Sequence, residues 1–584
     1  VGDIAVAPSD PEILWFGSGE AFNARLSTHG NGIWRSDYAG STWRNMGLKD
    51  SHHISKIVIY PSNPEVVWVA SMGHLFSDNS ERGIFKTIDG GHSWKKILYV
   101  DEKTGFIDLV INRKNPEILY AASYEKIRTG WTLEPGGEKS RIYKTTNGSD
   151  SWKVVEGGLP KGPLGRIGLD INMTNPEILY AVIQNLNTKP GANLSKPVPF
   201  DPFTDHSFDN LIGGEVYRTN DGGKSWKRIN DPEKVDVSGK AGYSFNKIYV
   251  DPVDPDKVYI IGAGMYYSLD GGKTWPKGRN QLLFQTNFGD NSVMWIDPRN
   301  PRHIMVGSDG GIYSTWDGGR SMYHYYNIPL GEIYQVETDN AEPNNIYIGL
   351  QDHETWKGPS NAWSGEINSA DWVIVGMWDG MYCKVDQKDN RWLYFTTQFG
   401  SHHKVDQVTG ERVPIQPVAP AGEDFYRYTW VTPLLISPHN SSVIYTGGQK
   451  LLRSPDRGNS WEAISPDLTD NDPVKRSGKG HIRYCTISTI SESPVKTGVI
   501  WVGTDDGHVH LTKDNGLTWN EMTDKIKTLG APAGLWVSYV LASWHSPSIA
   551  YITKSGFTKD DPGKYVYKTT DFGETWTNIS SGIA

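Results

Sequence analysis

Phe85-Lys-Thr-Ile-Asp-Gly-Gly-His-Ser-Trp94 returns little changed as Tyr217-Arg-Thr-Asn-Asp-Gly-Gly-Lys-Ser-Trp226 and as Tyr267-Ser-Leu-Asp-Gly-Gly-Lys-Thr-Trp275. Weaker copies end at Trp43, Trp152, Met322, Trp461, Trp519 and Trp576. The shared order is a small hydroxyl residue, Asp or Asn, Gly, and Ser or Thr, with single spacers between, and then directly a closing Trp. Asp-Gly between β-prone residues is a hairpin signal. Gly supplies the positive φ of such a turn, and the Asp or Asn side chain can hold it by accepting backbone amides. The closing indole offers a large apolar surface to a neighbouring unit. The structural positions this assigns are Asp89, Trp94, Asn147, Trp152, Asp221, Trp226, Asp270, Trp275, Asp317, Asp456, Trp461, Asp514, Trp519, Asp571 and Trp576.

The opening hydroxyl residues run from Ser36 to Thr569 at spacings of 47 to 58 residues, with two longer gaps of 74 and 139. A period of roughly 40–50 residues with strand signals means propeller blades. A second repeat supports this. Turns such as Pro61-Ser-Asn-Pro64, Asn115-Pro, Asn175-Pro and Asp297-Pro-Arg-Asn-Pro301 each precede an apolar run too short for a helix. The turn and the Asp-Gly hairpin together predict four short antiparallel strands per unit. Eleven such openings are legible, six in residues 1–327 and five in 328–584. We read these spans as a first and a second β-propeller, because the repeat fades where a boundary would lie. Two seven-bladed rings, incomplete at the ends, are the expected all-β architecture; a single ring of about ten blades is the alternative.

These motifs resemble the Asp-box family, also called BNR repeats. Within it the chain looks like large bacterial WD40/YVTN/BNR-like and sortilin-N-terminal-like repeat proteins, many of which carry the label "glycosyl hydrolase". The resemblance spans essentially the whole chain and includes Gly349-Leu-Gln-Asp352 and Gly503-Thr-Asp-Asp-Gly507. It implies a fold; activity has to be argued from a site.

Composition narrows the classes. Aromatics make up 12% of 584 residues, and eight of the 23 Trp close a repeat, so much of the Trp excess is architectural. The net charge of −9 comes without a basic stripe, which argues against nucleic acid. No apolar run reaches the roughly 18–20 residues of a membrane span. Cys383 and Cys485 are read as two buried free thiols. The chain opens Val1-Gly-Asp without Met and shows no signal peptide, which we read as a mature, processed or partial chain that is secreted, periplasmic or on the cell surface.

Acidic residues recur after the second strand of several units: Glu20, Asp309, Asp352, Asp379, Asp505 and Asp506. Such positions line one rim of a propeller. They can hold loop turns by accepting amides, bind a ligand, or serve as the acid and base of a glycoside hydrolase, whose two carboxyls lie about 5–9.5 Å apart. Glu20, Asp352, Asp379 and Asp505 are the catalytic candidates. Trp356, Trp363 and Trp378, in an aromatic-rich middle, with Asp309 and Asp506, are the ligand-binding candidates; the same rings would also suit a contact between domains. Long insertions at Ser123–Lys139 and Gln184–Gly214 are candidate binding loops. His52-His53 and His402-His403 attract attention as ligands, but strand neighbours point to opposite faces. His74, Asp78 and Glu81 share one loop. No zinc spacing is present, so no metal set is assigned, with room left for a structural cation such as calcium. A sialidase is disfavoured because no Phe/Tyr-Arg-Ile-Pro motif occurs.

The reading that results is a secreted or envelope propeller that binds a glycan, peptide or protein, as one part of a larger envelope assembly or alone. The alternative is a glycoside hydrolase acting on a polysaccharide in a cleft between two propellers.

Overall fold

The computed structural model describes residues 1–192, 206, 208–328, 330–477, 479 and 482–583. The rest of the 184–214 insertion therefore lies outside the described residues. The chain is nearly all β, and it divides into two compact units that part near residue 329. Among the described residues, six blade sheets fall in the first unit and five in the second. Ten have four strands in meander order, each strand paired antiparallel to its neighbour.

The turn chemistry read from sequence is the chemistry observed. Thr87 Oγ1 donates to Asp89 Oδ1 (2.7 Å) and accepts from the Gly91 amide (2.9 Å). Asp89 in turn accepts from the Ser93 amide (3.0 Å) and hydroxyl (2.6 Å). The same four bonds recur around Asp221, Asp270, Asp317, Asp456, Asp514 and Asp571. At Asn147 the amide group takes the carboxylate's place: Thr145 Oγ1 donates to its Oδ1, and its Nδ2 donates to Ser151 Oγ. Because hydrogen bonds stabilise the charged form, these carboxyls sit below their usual range; Asp571 is drawn down to about 2, first by the Thr575 hydroxyl.

The closing indoles fasten one sheet to the one before it. Trp94, Trp275, Trp461 and Trp519 donate Nε1–H to the carbonyls of Met46, Ile229, Ile415 and Ile464 at 2.7–3.0 Å. Trp94 also meets Trp15 edge-on at 6.0 Å, and Trp576 meets the fully buried Trp501 edge-on at 5.8 Å. Facing sheets share apolar layers, as where Trp68, Ala70 and Ile84 pack with Phe106, Leu109 and Leu119.

One sheet departs from the four-strand expectation. It has Lys247–Val250, Val258–Ile261 and Met265–Ser268 but no fourth strand. In the preceding sheet the fourth strand begins with Lys227, directly after the closing Trp226. After Trp275 that position is Pro276, which has no N–H to give to a ladder.

In the first unit, the first strands of all six sheets line a cavity of about 520 Å3, as expected of an axial channel. Carboxylates stitch these inner strands together. Asp3, Asp108 and Asp170 accept the amides of Ile57, Leu169 and Val250 from the next sheet at 2.7–2.8 Å. Burial pushes Asp170 up to about 7 and Lys247 down to about 7. The Ser123–Lys139 insertion forms a two-stranded ribbon, Ile127–Arg128 with Leu133–Glu134. Both cysteines are free, and burial raises each thiol to about 12. Among the described residues, no helix is long and apolar enough to cross a membrane.

Candidate functional site

Two loops of the second unit bring Asp352 and Asp379 together. Asp352 follows the strand Asn345–Leu350, and Asp379 precedes Cys383–Val385 in the next sheet. The loops are zipped by backbone: Glu354 N donates to the Trp378 carbonyl (2.9 Å) and Gly380 N to the Leu350 carbonyl (2.9 Å). The Asp352 amide adds a third link, donating to Asp379 Oδ1 at 2.9 Å. Three non-glycine residues here hold left-handed backbone: Asp352 (φ 59°), Glu354 (φ 60°) and Trp378 (φ 55°). Each such residue costs of order 1 kcal/mol and tends to collect at functional sites.

The electrostatics of the pair are asymmetric. Asp379 is buried and pushed up to about 7, first by burial and then by the charge of Asp352. The Asp352 amide and Gln398 favour the charged form and oppose this rise. Near neutrality the Asp379 carboxyl is therefore only partly ionised.

A chain of polar groups supports Asp352. Trp430 Nε1 donates to Tyr334 Oη (3.0 Å), Tyr334 Oη to Gln351 Oε1 (3.0 Å), and Gln351 Nε2 to Asp352 Oδ2 (3.3 Å). Phe399, edge-on to Trp430 at 5.1 Å, follows Gln398 in a tight turn. Trp378 stands 71% exposed next to Asp379 in sequence, so an uncovered indole accompanies a partly neutral acid. Trp363 is fully exposed, whereas Trp356 is half-buried with Nε1 on the His353 carbonyl (2.5 Å).

The other acidic candidates have settings of their own. Glu20, in the first unit, accepts the Thr28 amide (3.1 Å). Asp309 is exposed. Asp505 is buried and accepts the Thr486 amide (2.9 Å) and hydroxyl (2.6 Å); burial and the neighbouring Asp506 push its carboxyl well up. Asp506 accepts the Asp470 amide (2.8 Å) and the Thr504 hydroxyl (2.5 Å). Around it lies a group with no mark in the sequence: His508 sits 2.7 Å from both Asp470 and Glu521. Burial alone would lower that imidazole, but the two carboxylates outweigh it and raise it. Most of these carboxyls thus also accept backbone amides, and only Asp352 and Asp379 among the four catalytic candidates meet.

His402-His403 lies in a strand and splits as strand geometry predicts, whereas His52-His53 lies in the turn before Ile54–Ile59 with its rings edge-on at 6.4 Å. His53 is buried on the Glu20 carbonyl (2.8 Å) and His402 lies beside Thr446 Oγ1 (2.6 Å); burial lowers both to about 3. Sequence reasoning missed Tyr334, Gln351, Gln398 and Trp430, which carry no repeat signature and come from three separate sheets or their loops.

The family model for Sortilin-Vps10 (sortilin, neurotensin receptor 3) matches residues 214–364. A xyloglucanase of Hypocrea jecorina is 22% identical over 558 residues, covering 88% of this chain and 53% of that protein. A xyloglucanase of Acetivibrio thermocellus is 24% identical over 310 residues, 43% of this chain and 36% of its own. The chain thus spans about half or less of these curated relatives. A probable oligoxyloglucan-reducing end-specific xyloglucanase of Neosartorya fischeri is 21% identical, covering 99% of this chain and 76% of that one. Among solved structures, the Niastella koreensis GH74 enzyme is similar at 15% identity, covering 100% of this chain and 82% of its own with a TM-score of 0.33. So loose a superposition adds nothing to the fold argument, which rests on the blades' own pairing and turns. By its repeats, sheets and turn bonds, the chain is an Asp-box β-propeller protein.

Proposed function

We propose that this chain is a secreted glycoside hydrolase that cleaves a β-linked polysaccharide, with Asp379 as proton donor to the leaving glycosidic oxygen. The observation that carries the reading is the Asp352–Asp379 pair, with Asp379 pushed up to about 7 beside an exposed Trp378. A general acid has to be protonated at working pH. Asp352, by its charge, keeps the proton on Asp379, and Trp378 offers a face on which a sugar ring stacks. The relatives named xyloglucanases support a glucan backbone as the substrate class.

The test is reducing-end release from xyloglucan, other β-glucans, xylan and pectin by the purified chain. Release from a β-glucan, falling about 100-fold or more in Asp379→Asn with the thermal midpoint kept, is the expected result. No release from any of them, or an unimpaired Asp379→Asn, overturns it.

One observation favours a second reading, a glycan-binding platform without catalysis. Asp379 accepts the Asp352 amide (2.9 Å), so the acid is engaged by the neighbouring loop as a turn-holding carboxylate would be. On that reading, xyloglucan oligosaccharides bind without being cut, and Trp378→Ala weakens the binding.

A further inference from the structure

In the first unit three imidazoles form a stack. His52 lies 3.7 Å from His74 and 4.8 Å from His29, centroid to centroid, with interplanar angles of 17° and 26°. Asp50 closes the group, with Oδ1 3.3 Å from His74 Nε2. One ligand atom each from Asp50, His52 and His74 falls within 4.8 Å of the others. Two imidazoles and a carboxylate, brought from a turn and a loop 24 residues apart, are a donor set that suits zinc and its neighbours.

The surroundings hold these groups in place. Gly30 N donates to the His52 carbonyl (2.7 Å) and His53 N to the Ser51 carbonyl (2.5 Å), which fixes His52 at φ 55°, ψ −48°. That region is uncommon for a residue with a Cβ. The His74 loop is clamped by Arg82, which donates to the carbonyls of Met72 (2.6 Å), His74 (2.8 Å) and Ser77 (2.9 Å). Asn79 ties the same loop to Asp50 by donating to its carbonyl (3.2 Å) and receiving the His74 amide (3.0 Å). His74 Nδ1 lies 2.9 Å from Ser77 Oγ. A partner on the far nitrogen orients a metal-binding imidazole and leaves Nε2 for the ion. The Lys126 ammonium is directed at the His74 and Leu75 carbonyls (3.1 and 3.2 Å).

We propose that Asp50, His52 and His74 bind one transition-metal ion of the zinc class, the two imidazoles turning out of their face-to-face stack so that both in-plane lone pairs meet the ion, and the exposed Asp50 leaving the remaining position open to solvent. This site is independent of the glycan reading, and its failure would leave that reading standing.

Tag-free full chain is titrated with Zn2+ by calorimetry and with Co2+ by visible absorption. The expected result is an ion that binds at micromolar or tighter affinity, gives ligand-field bands with Co2+ and raises the thermal midpoint. Asp50→Asn and His52→Gly should each weaken Zn2+ binding at least about tenfold. Glycine fits the left-handed backbone at position 52, so metal-free His52→Gly should melt no lower than the parent while losing the Zn2+ response. Absence of micromolar binding by the parent, or equal affinity in both variants, overturns the proposal.

Discussion

Asp571 and Asp379 are both aspartates that accept backbone amides in blade loops, yet their proton affinities are driven in opposite directions. Asp571 is solvent-facing, and hydroxyls and amides from its own turn bring it down to about 2. Asp379 is buried against a second carboxyl and goes up to about 7. One is a charged clip that any blade can use. The other is an acid whose state depends on a partner from another loop. The contrast shows that a recurring aspartate reports on architecture, while one set against a second aspartate has its proton affinity fixed by tertiary structure.

The widest expected separation is in activity. Asp379→Asn should cost about 100-fold or more in glycan cleavage, while Asp571→Asn, in a clip that already works with Asn147 at another blade, should leave turnover unchanged. Equal losses in both variants would erase the distinction.

Next comes stability. Thr219 is buried, donates to Asp221 (2.7 Å) and receives the Gly223 amide (3.0 Å). Thr219→Val keeps the shape, leaves the buried Gly223 amide without its partner and takes one bond from Asp221, so denaturant unfolding should show a loss of about 1–3 kcal/mol, with cleavage unaffected. A neutral Thr219→Val would mean that the clips do not brace the blades.

The repeat made the blades legible because turn chemistry is local: hydroxyl, Asp, Gly and Trp act within ten residues, as Thr87 to Trp94 do. Even the one short sheet was written locally, in Pro276. The site was only half legible. Asp352 and Asp379 could be named as rim acids, but their meeting depends on Glu354 and Gly380 zipping two loops, a tertiary fact. Tyr334, Gln351, Gln398 and Trp430 converge from distant strands and leave no spacing to read. For the same reason adjacency is a poor guide to the histidines: His52 touches His53 only edge-on, while the pairing of Ile54 with Ser71 brings it face to face with His74.

The pH dependence sharpens the comparison by sign. A carboxyl raised in the fold contributes stability below its unfolded pKa, near 3.9, and loses it as pH climbs through about 7. Asp379→Asn should therefore unfold less easily than the parent at pH 8, by on the order of 1 kcal/mol, with the advantage fading toward pH 4. Asp571 works the other way: its contribution is present above about pH 4 and disappears as pH falls through about 2. Thermal midpoints of parent, Asp379→Asn and Asp571→Asn from pH 3 to 8 would show curves diverging at opposite ends, and parallel curves would refute the assignment.

The smallest effect concerns the missing strand. Pro276→Lys restores the N–H that a fourth strand needs and should protect the backbone after Trp275 from hydrogen exchange, with a gain of a few tenths of a kcal/mol at most.

The most direct measurement is the titration of Asp379 itself, followed through the carboxyl carbon of 13C-labelled aspartate. A resonance titrating near pH 7 that vanishes in Asp379→Asn, and moves to lower pH in Asp352→Asn, is the predicted result. A spectrum in which Asp379→Asn removes only a signal titrating near pH 4 would contradict the raised Asp379 carboxyl on which the proposed chemistry stands.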